Sequence, residues 1–163
     1  MIYLTVTLFF ISIILEGIIP NLLRDILPLF TVAIIIISST FKIGDKEFYI
    51  SIFLSGVVYD LFYTSTLFLN GFIFVFLAYL SRILVDKNIN FIKALLYYYL
   101  LSFLYIIIMF YFTYFYVPKS LIYIITIYKN NMIINSLYFS LFYLVLVGLK
   151  NITSNRYKKH SYF

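Results

Sequence analysis

Long apolar runs alternate with short polar breaks along almost the whole chain. Residues 2–19 are apolar up to Glu16, Gly17 and Pro20, and the connection NLLRD follows. Residues 26–43 form the next run, through TVAIIIISSTF, and end in the polar turn KIGDKE, where Gly44 reads as a turn glycine. The tract over residues 48–85 is about twice the length of a membrane span, which needs about 20 mainly apolar residues and roughly 17 when short. Its best break is YTST, residues 63–66, giving helices over residues 48–63 and 67–85. The loop RILVDKNINFIK leads to a fifth run, residues 94–116, which Pro118 helps to stop. The centre of VPKSLIYIITIYKNN is apolar but too short to span, and reads as a segment on the membrane surface. The sixth run is residues 132–149, and the polar, basic tail over residues 150–163 is expected to be disordered.

Composition turns these runs into membrane helices rather than buried core. The chain of 163 residues is 64% hydrophobic and only 11% charged, whereas soluble domains carry about 25% charged residues. Too few charges remain to cover a water-facing surface. The reading is an all-α integral membrane protein, a bundle of six transmembrane helices. Its transmembrane domain is residues 1–149, with a basic cytoplasmic tail at residues 150–163. MIYLTVTLFFISIILEG has no basic stretch before it and no small-residue cleavage pattern after it, so it reads as the first spanning helix and not as a cleavable signal.

Charge sets the orientation. The net charge is +6, which in a soluble domain could point to nucleic acid. Here the basic residues lie singly between apolar runs, and no nucleic-acid partner is expected. With a cytoplasmic N-terminus, the inner loops and tail hold Lys42, Lys46, Arg82, Lys87, Lys93, Lys150, Arg156, Lys158 and Lys159. Only Arg24, Lys119 and Lys129 fall outside. That asymmetry favours six helices with both termini cytoplasmic. A five-helix arrangement would place the basic tail opposite the basic loops. The expected location is the cytoplasmic (inner) membrane, multi-pass, with membrane lipids as the surroundings.

Little in the chain suggests catalysis. There is no cysteine, and the single histidine, His160, lies in the polar tail as a solvated residue. No nucleophile–base pair, metal-ligand cluster or phosphate-binding loop stands out. No enzymatic activity, cofactor or metal is expected.

The residue that needs a reason is Asp60, set within SGVVYDLFYTSTLFLNGF. A charge inside the bilayer is costly, from about 2.5 kcal/mol at the centre by insertion scales. On a helix, Gly56 and Asp60 share a face, with Ser51, Ser55 and Thr64 nearby. Small residues there let a second helix approach closely. One reading is structural: Asp60 caps the turn, accepts backbone N–H groups from YTST or the start of the next helix, or pairs with Arg24. The other is a proton or cation site, for which the other acidic groups near the spans are Glu16 and Asp25. Asn70 suits a cap or an interhelical hydrogen bond, and Gly71 suits close packing.

The pattern Gly56-x-x-x-Asp60, a polar turn, then Leu69-Asn70-Gly71 leading to Ala78-Tyr79-Leu80 resembles the MreD family of bacterial rod shape-determining membrane proteins. Length, six-helix layout and basic tail are similar as well. The chain departs from the family at Phe68, where members often carry glycine. The resemblance implies a non-enzymatic membrane scaffold of the cell-elongation machinery that helps control rod shape and peptidoglycan synthesis. It implies an MreC-like partner, with MreB, RodA and a class B penicillin-binding protein as further members of the complex. Gly56, Asp60, Asn70 and Gly71 would form its partner-binding or structural motif. The fold is also similar in outline to the substrate-binding components of ECF vitamin transporters. The alternative function is therefore small-molecule binding, with Asp60, Thr64, Asn70 and Asn135 as candidate contacts in an outward-facing pocket.

Overall fold

The computed structural model describes residues 2–22, 27–40, 44–64, 66–85, 89–113 and 121–160. Seven helices run in order: α1 (Ile2–Leu22), α2 (Phe30–Ser39), α3 (Asp45–Tyr63), α4 (Leu69–Leu84), α5 (Phe91–Thr113), α6 (Leu121–Asn130) and α7 (Met132–His160). No strand occurs among the described residues. Among the described residues two helices are long and apolar enough to cross a membrane, α1 over Tyr3–Asn21 and α5 over Phe91–Phe112. Shorter apolar helical stretches are Phe30–Ser39, Leu69–Leu84 and Met132–Leu146.

The second run differs most from its expected form. The expected helix over residues 26–43 is a helix of 10 residues, about 15 Å long, or half of a bilayer core of about 30 Å. Ile26 and residues 41–43 lie outside the described residues. Pro28 explains the late start: its ring disfavours helical backbone at the residue before it, and Leu29 is still non-helical at φ −126°. All ten residues of α2 are buried, as expected of a helix apolar on every side. It packs against α1, α4, α5 and α7 and forms the centre of the bundle.

The long tract breaks where expected, with α3 ending at Tyr63 and α4 starting at Leu69. Helix α3 starts a turn earlier than its apolar pattern, at Asp45. Asp45 and Glu47 lie in its first turn, where acidic groups complement the helix dipole. The segment expected to lie on the membrane surface contains the helix α6. At the C-terminus, α7 runs past residue 149 to His160, so residues 150–160 are helical where disorder was expected.

Apolar side chains cover much of the outside of the bundle as well as filling its core. Outward positions of α5 and α7 include Ile92, Leu96, Leu100, Leu137, Leu141 and Leu144, all exposed. Fully buried positions include Ser12, Asn70, Ser81, Ser102 and Asn135. Exposed apolar rows at helical spacing with polar groups inside suit an apolar solvent.

Candidate functional site

Two helix N-termini, those of α2 and α4, lie in the same half of the bundle, and each meets a carboxylate from another helix. The first four N–H groups of a helix have no partner within it. At α4 the preceding residue, Phe68, supplies no side-chain cap. Asp60 on α3 takes that role. Its Oδ2 accepts the Asn70 backbone N–H at 2.8 Å, and its Oδ1 accepts the Asn70 side-chain amide at 2.7 Å and the Thr64 hydroxyl at 2.7 Å. Asp60 is 1% exposed. Its charge is balanced by these donors and by the positive end of α4.

Glycines make this reach possible. A Cβ added at Gly56 would meet the Asn70 carbonyl oxygen and the Gly71 N and Cα, each at 2.6 Å. A Cβ at Gly71 would press on the Phe53 ring at 3.1 Å. Helices α3 and α4 therefore touch backbone to backbone one turn from Asp60. Ser51 and Ser55 on the same side are buried, and their hydroxyls return to their own helix, to the carbonyls of Phe48 and Ser51. The four residues singled out in the sequence, Gly56, Asp60, Asn70 and Gly71, thus form one junction. The alternative partner of Asp60, Arg24, lies outside the described residues, as does Asp25.

The turn leading into α4 has an unusual backbone. Phe68 has φ 68° and ψ −4°. Among the described residues no other non-glycine has positive φ. This left-handed region strains any residue with a Cβ and favours glycine.

The second junction escaped the sequence reading. Glu16 on α1 is buried, and its Oε1 accepts both the Thr31 backbone N–H at 2.6 Å and the Thr31 hydroxyl at 2.9 Å. Thr31 is the second residue of α2, as Asn70 is of α4. The non-helical residues before α2 are held from elsewhere. Asn135 on α7 accepts the Leu29 N–H at 3.0 Å and donates to the Leu27 carbonyl at 3.1 Å. The Tyr98 hydroxyl on α5 donates to the Leu29 carbonyl at 3.2 Å. The sequence presents Glu16 only as an acidic group near the spans and Asn135 only as a candidate ligand contact, and nothing local links either to the start of α2.

The α4 junction also reaches α5. The Tyr105 hydroxyl donates to Asn70 Oδ1 at 3.0 Å. Asp60, Asn70 and Tyr105 thus tie α3, α4 and α5 together.

The far end of the α3–α4 pair is closed differently. Arg82 near the end of α4 pairs with Asp45 at the start of α3, and its guanidinium lies 4.0 Å from the Phe48 ring centroid. A groove of about 740 Å³ runs between α1 and α3, lined by Tyr3, Phe10, Ile50 and Leu54 among others. None of the candidate contacts Asp60, Thr64, Asn70 and Asn135 lines it. Among the described residues no group of three or more His, Cys, Asp or Glu side chains could hold a metal ion. No family model, curated protein or solved structure matches this chain.

Proposed function

We propose that this chain is an MreD-like scaffold: a non-enzymatic, six-span protein of the bacterial inner membrane with both termini cytoplasmic. In this reading it binds an MreC-like protein and, through it, the elongation machinery of MreB, RodA and a class B penicillin-binding protein. The observation that carries the reading is the convergence of Gly56, Asp60, Asn70 and Gly71, the residues of the resemblance, on one backbone-to-backbone junction. The left-handed backbone at Phe68 supports it too, because that is the geometry for which related sequences would use glycine.

The small-molecule reading needs polar groups free to meet a ligand. Asp60, Thr64 and Asn70 are bonded to one another, and Asn135 is spent on the backbone before α2. These bonds favour the scaffold.

The test is affinity purification of the tagged protein in mild detergent, with mass spectrometry of what accompanies it. MreC-like protein and glycan-polymerising enzymes are the expected companions. Asp60→Ala should reduce their recovery severalfold, and Lys129→Ala, at an exposed position of α6, should not. Recovery of paired ATPase subunits with a coupling membrane protein would overturn the scaffold reading in favour of a transporter component.

A further inference from the structure

The turn between α3 and α4 is arranged the opposite way from a turn in water. Connections on a water-facing surface offer their polar groups to solvent. Here the polar side chains bond to one another. The Thr64 hydroxyl donates to Asp60 Oδ1 at 2.7 Å and accepts the Thr66 hydroxyl at 3.2 Å. Asn70 gives its side-chain amide to Asp60 and takes the Tyr105 hydroxyl. Backbone N–H groups are met within the turn as well: Thr64 by the Asp60 carbonyl, Phe72 by the Phe68 carbonyl and Asn70 by the Asp60 carboxylate. What faces outward is apolar. Leu61, Phe62, Leu67 and Phe72 are 66–70% exposed, and Phe68 is 47% exposed.

Charge and length say what covers this tip. Residues 61–81 contain no Asp, Glu, Lys or Arg. Apart from buried Asp60, the charged groups of the two helices gather at the other end, where Arg82 pairs with Asp45, and Lys46 and Glu47 are exposed. The apolar arms between, residues 48–63 and 69–81, are about 24 Å and about 20 Å long, and a bilayer core is about 30 Å thick. Sliding the hairpin until its tip met water would drag the charged end into hydrocarbon, which a bilayer resists. The tip itself can stay in hydrocarbon, because irregular backbone is tolerated at that depth where protein groups satisfy it.

We propose that the α3–α4 turn is inserted in the bilayer, with Leu61, Phe62, Leu67, Phe68 and Phe72 among the acyl chains of the leaflet opposite the Arg82–Asp45 pair. The partner of this surface is lipid, and the turn is not an aqueous loop. The bonds among Asp60, Thr64 and Asn70 are what let a turn sit at that depth. The proposal rests on the reading of the chain as membrane-spanning and on nothing about its protein partners.

The experiment places single tryptophans in the full-length protein, which has none of its own. Phe62→Trp and Leu67→Trp probe the turn. Ile83→Trp, 62% exposed beside Arg82, probes the charged end of the same hairpin. Each replaces an exposed side chain, and two turn probes keep the test open if one perturbs the fold. The variants are reconstituted in phosphatidylcholine vesicles with bromine carried part-way down the acyl chain, and iodide is then added to the water. Both turn probes should be quenched severalfold more by the bromolipid than by iodide, and Ile83→Trp should be the more accessible to iodide. Turn probes as accessible to iodide as Ile83→Trp, with bromolipid quenching elsewhere, overturn the inserted turn and leave the spanning reading standing. No bromolipid quenching at any of the three positions overturns both.

Discussion

At the start of α4, the capping carboxylate comes from ten residues back along the chain, across a single tight turn. At the start of α2, the carboxylate comes from fifteen residues back, and the residues before the helix are held from 69 and 106 residues away, by Tyr98 and Asn135. Both junctions solve the same problem, the unpaired N–H groups of a helix that begins inside the bundle. The α3–α4 junction is a local hairpin that draws its capping carboxylate from its own two helices, with α5 adding only the Tyr105 bond to Asn70. The α2 junction draws on α1, α5 and α7, so it can form only when most of the bundle is in place. A buried helix end can thus be completed by a neighbour in sequence or by the whole fold.

The largest effect should come from the feature that the α2 junction lacks. Gly56 faces the backbone of α4, whereas Gly17, beside Glu16, faces the Tyr63 side chain. Side chains can move aside and backbone cannot, short of parting the helices. Gly56→Ala should destabilise the protein by about 3 kcal/mol, at the upper end of overpacking costs. Gly71→Ala meets the Phe53 ring edge at 3.1 Å and the Phe53 carbonyl at 3.3 Å, looser than the 2.6 Å contacts at Gly56, and should cost less. Melting temperatures in detergent would show this order, and equal melting of the two variants would remove the claim of backbone contact.

Asn135→Ala tests the other side of the comparison. It leaves the Leu29 N–H and the Leu27 carbonyl without their side-chain partner. The expected loss is about 2 kcal/mol, set by the cost of unmade buried hydrogen bonds. Because α2 is the centre of the bundle, the loss should appear as faster proteolysis throughout the protein. The Gly56→Ala variant should instead be cleaved first around the α3–α4 turn. Identical cleavage patterns would mean that the two junctions are not separable in the way their geometry implies.

This division also explains what could be read from the chain. Gly56, Asp60, Asn70 and Gly71 were legible because helical spacing and one short turn place them together, and the turn itself was visible as YTST. Helix existence was legible from the apolar runs. The length of α2 was not, because IIII offers no stop, and the buried run extends on paper past the point at which Pro28 delays it. Glu16 and Asn135 were illegible as a site because 15 and 106 residues separate them from the amides they satisfy. No local pattern encodes such a distance. The helical extension of α7 over residues 150–160 was hidden by its polar composition, which reads equally as a solvated helix or as coil.

The smallest effect, and the sharpest, belongs to Phe68. Its left-handed backbone strains a residue with a Cβ by roughly 1–2 kcal/mol. Its ring lies parallel to Phe53 at 6.3 Å between centroids, a pairing worth about 0.5–1.5 kcal/mol. Phe68→Gly relieves the strain, forfeits the ring contact and adds about 0.5–1 kcal/mol of backbone entropy cost. These terms nearly cancel, and the variant should melt close to wild type. Phe68→Ala keeps the strain and still loses the ring, so it should be less stable by about 1 kcal/mol. If glycine proves no better than alanine, the left-handed turn does not limit how Asp60 meets Asn70. If glycine is the better of the two, the α4 junction depends on backbone shape first, and the Phe53–Phe68 contact compensates for a residue that the turn itself would not favour.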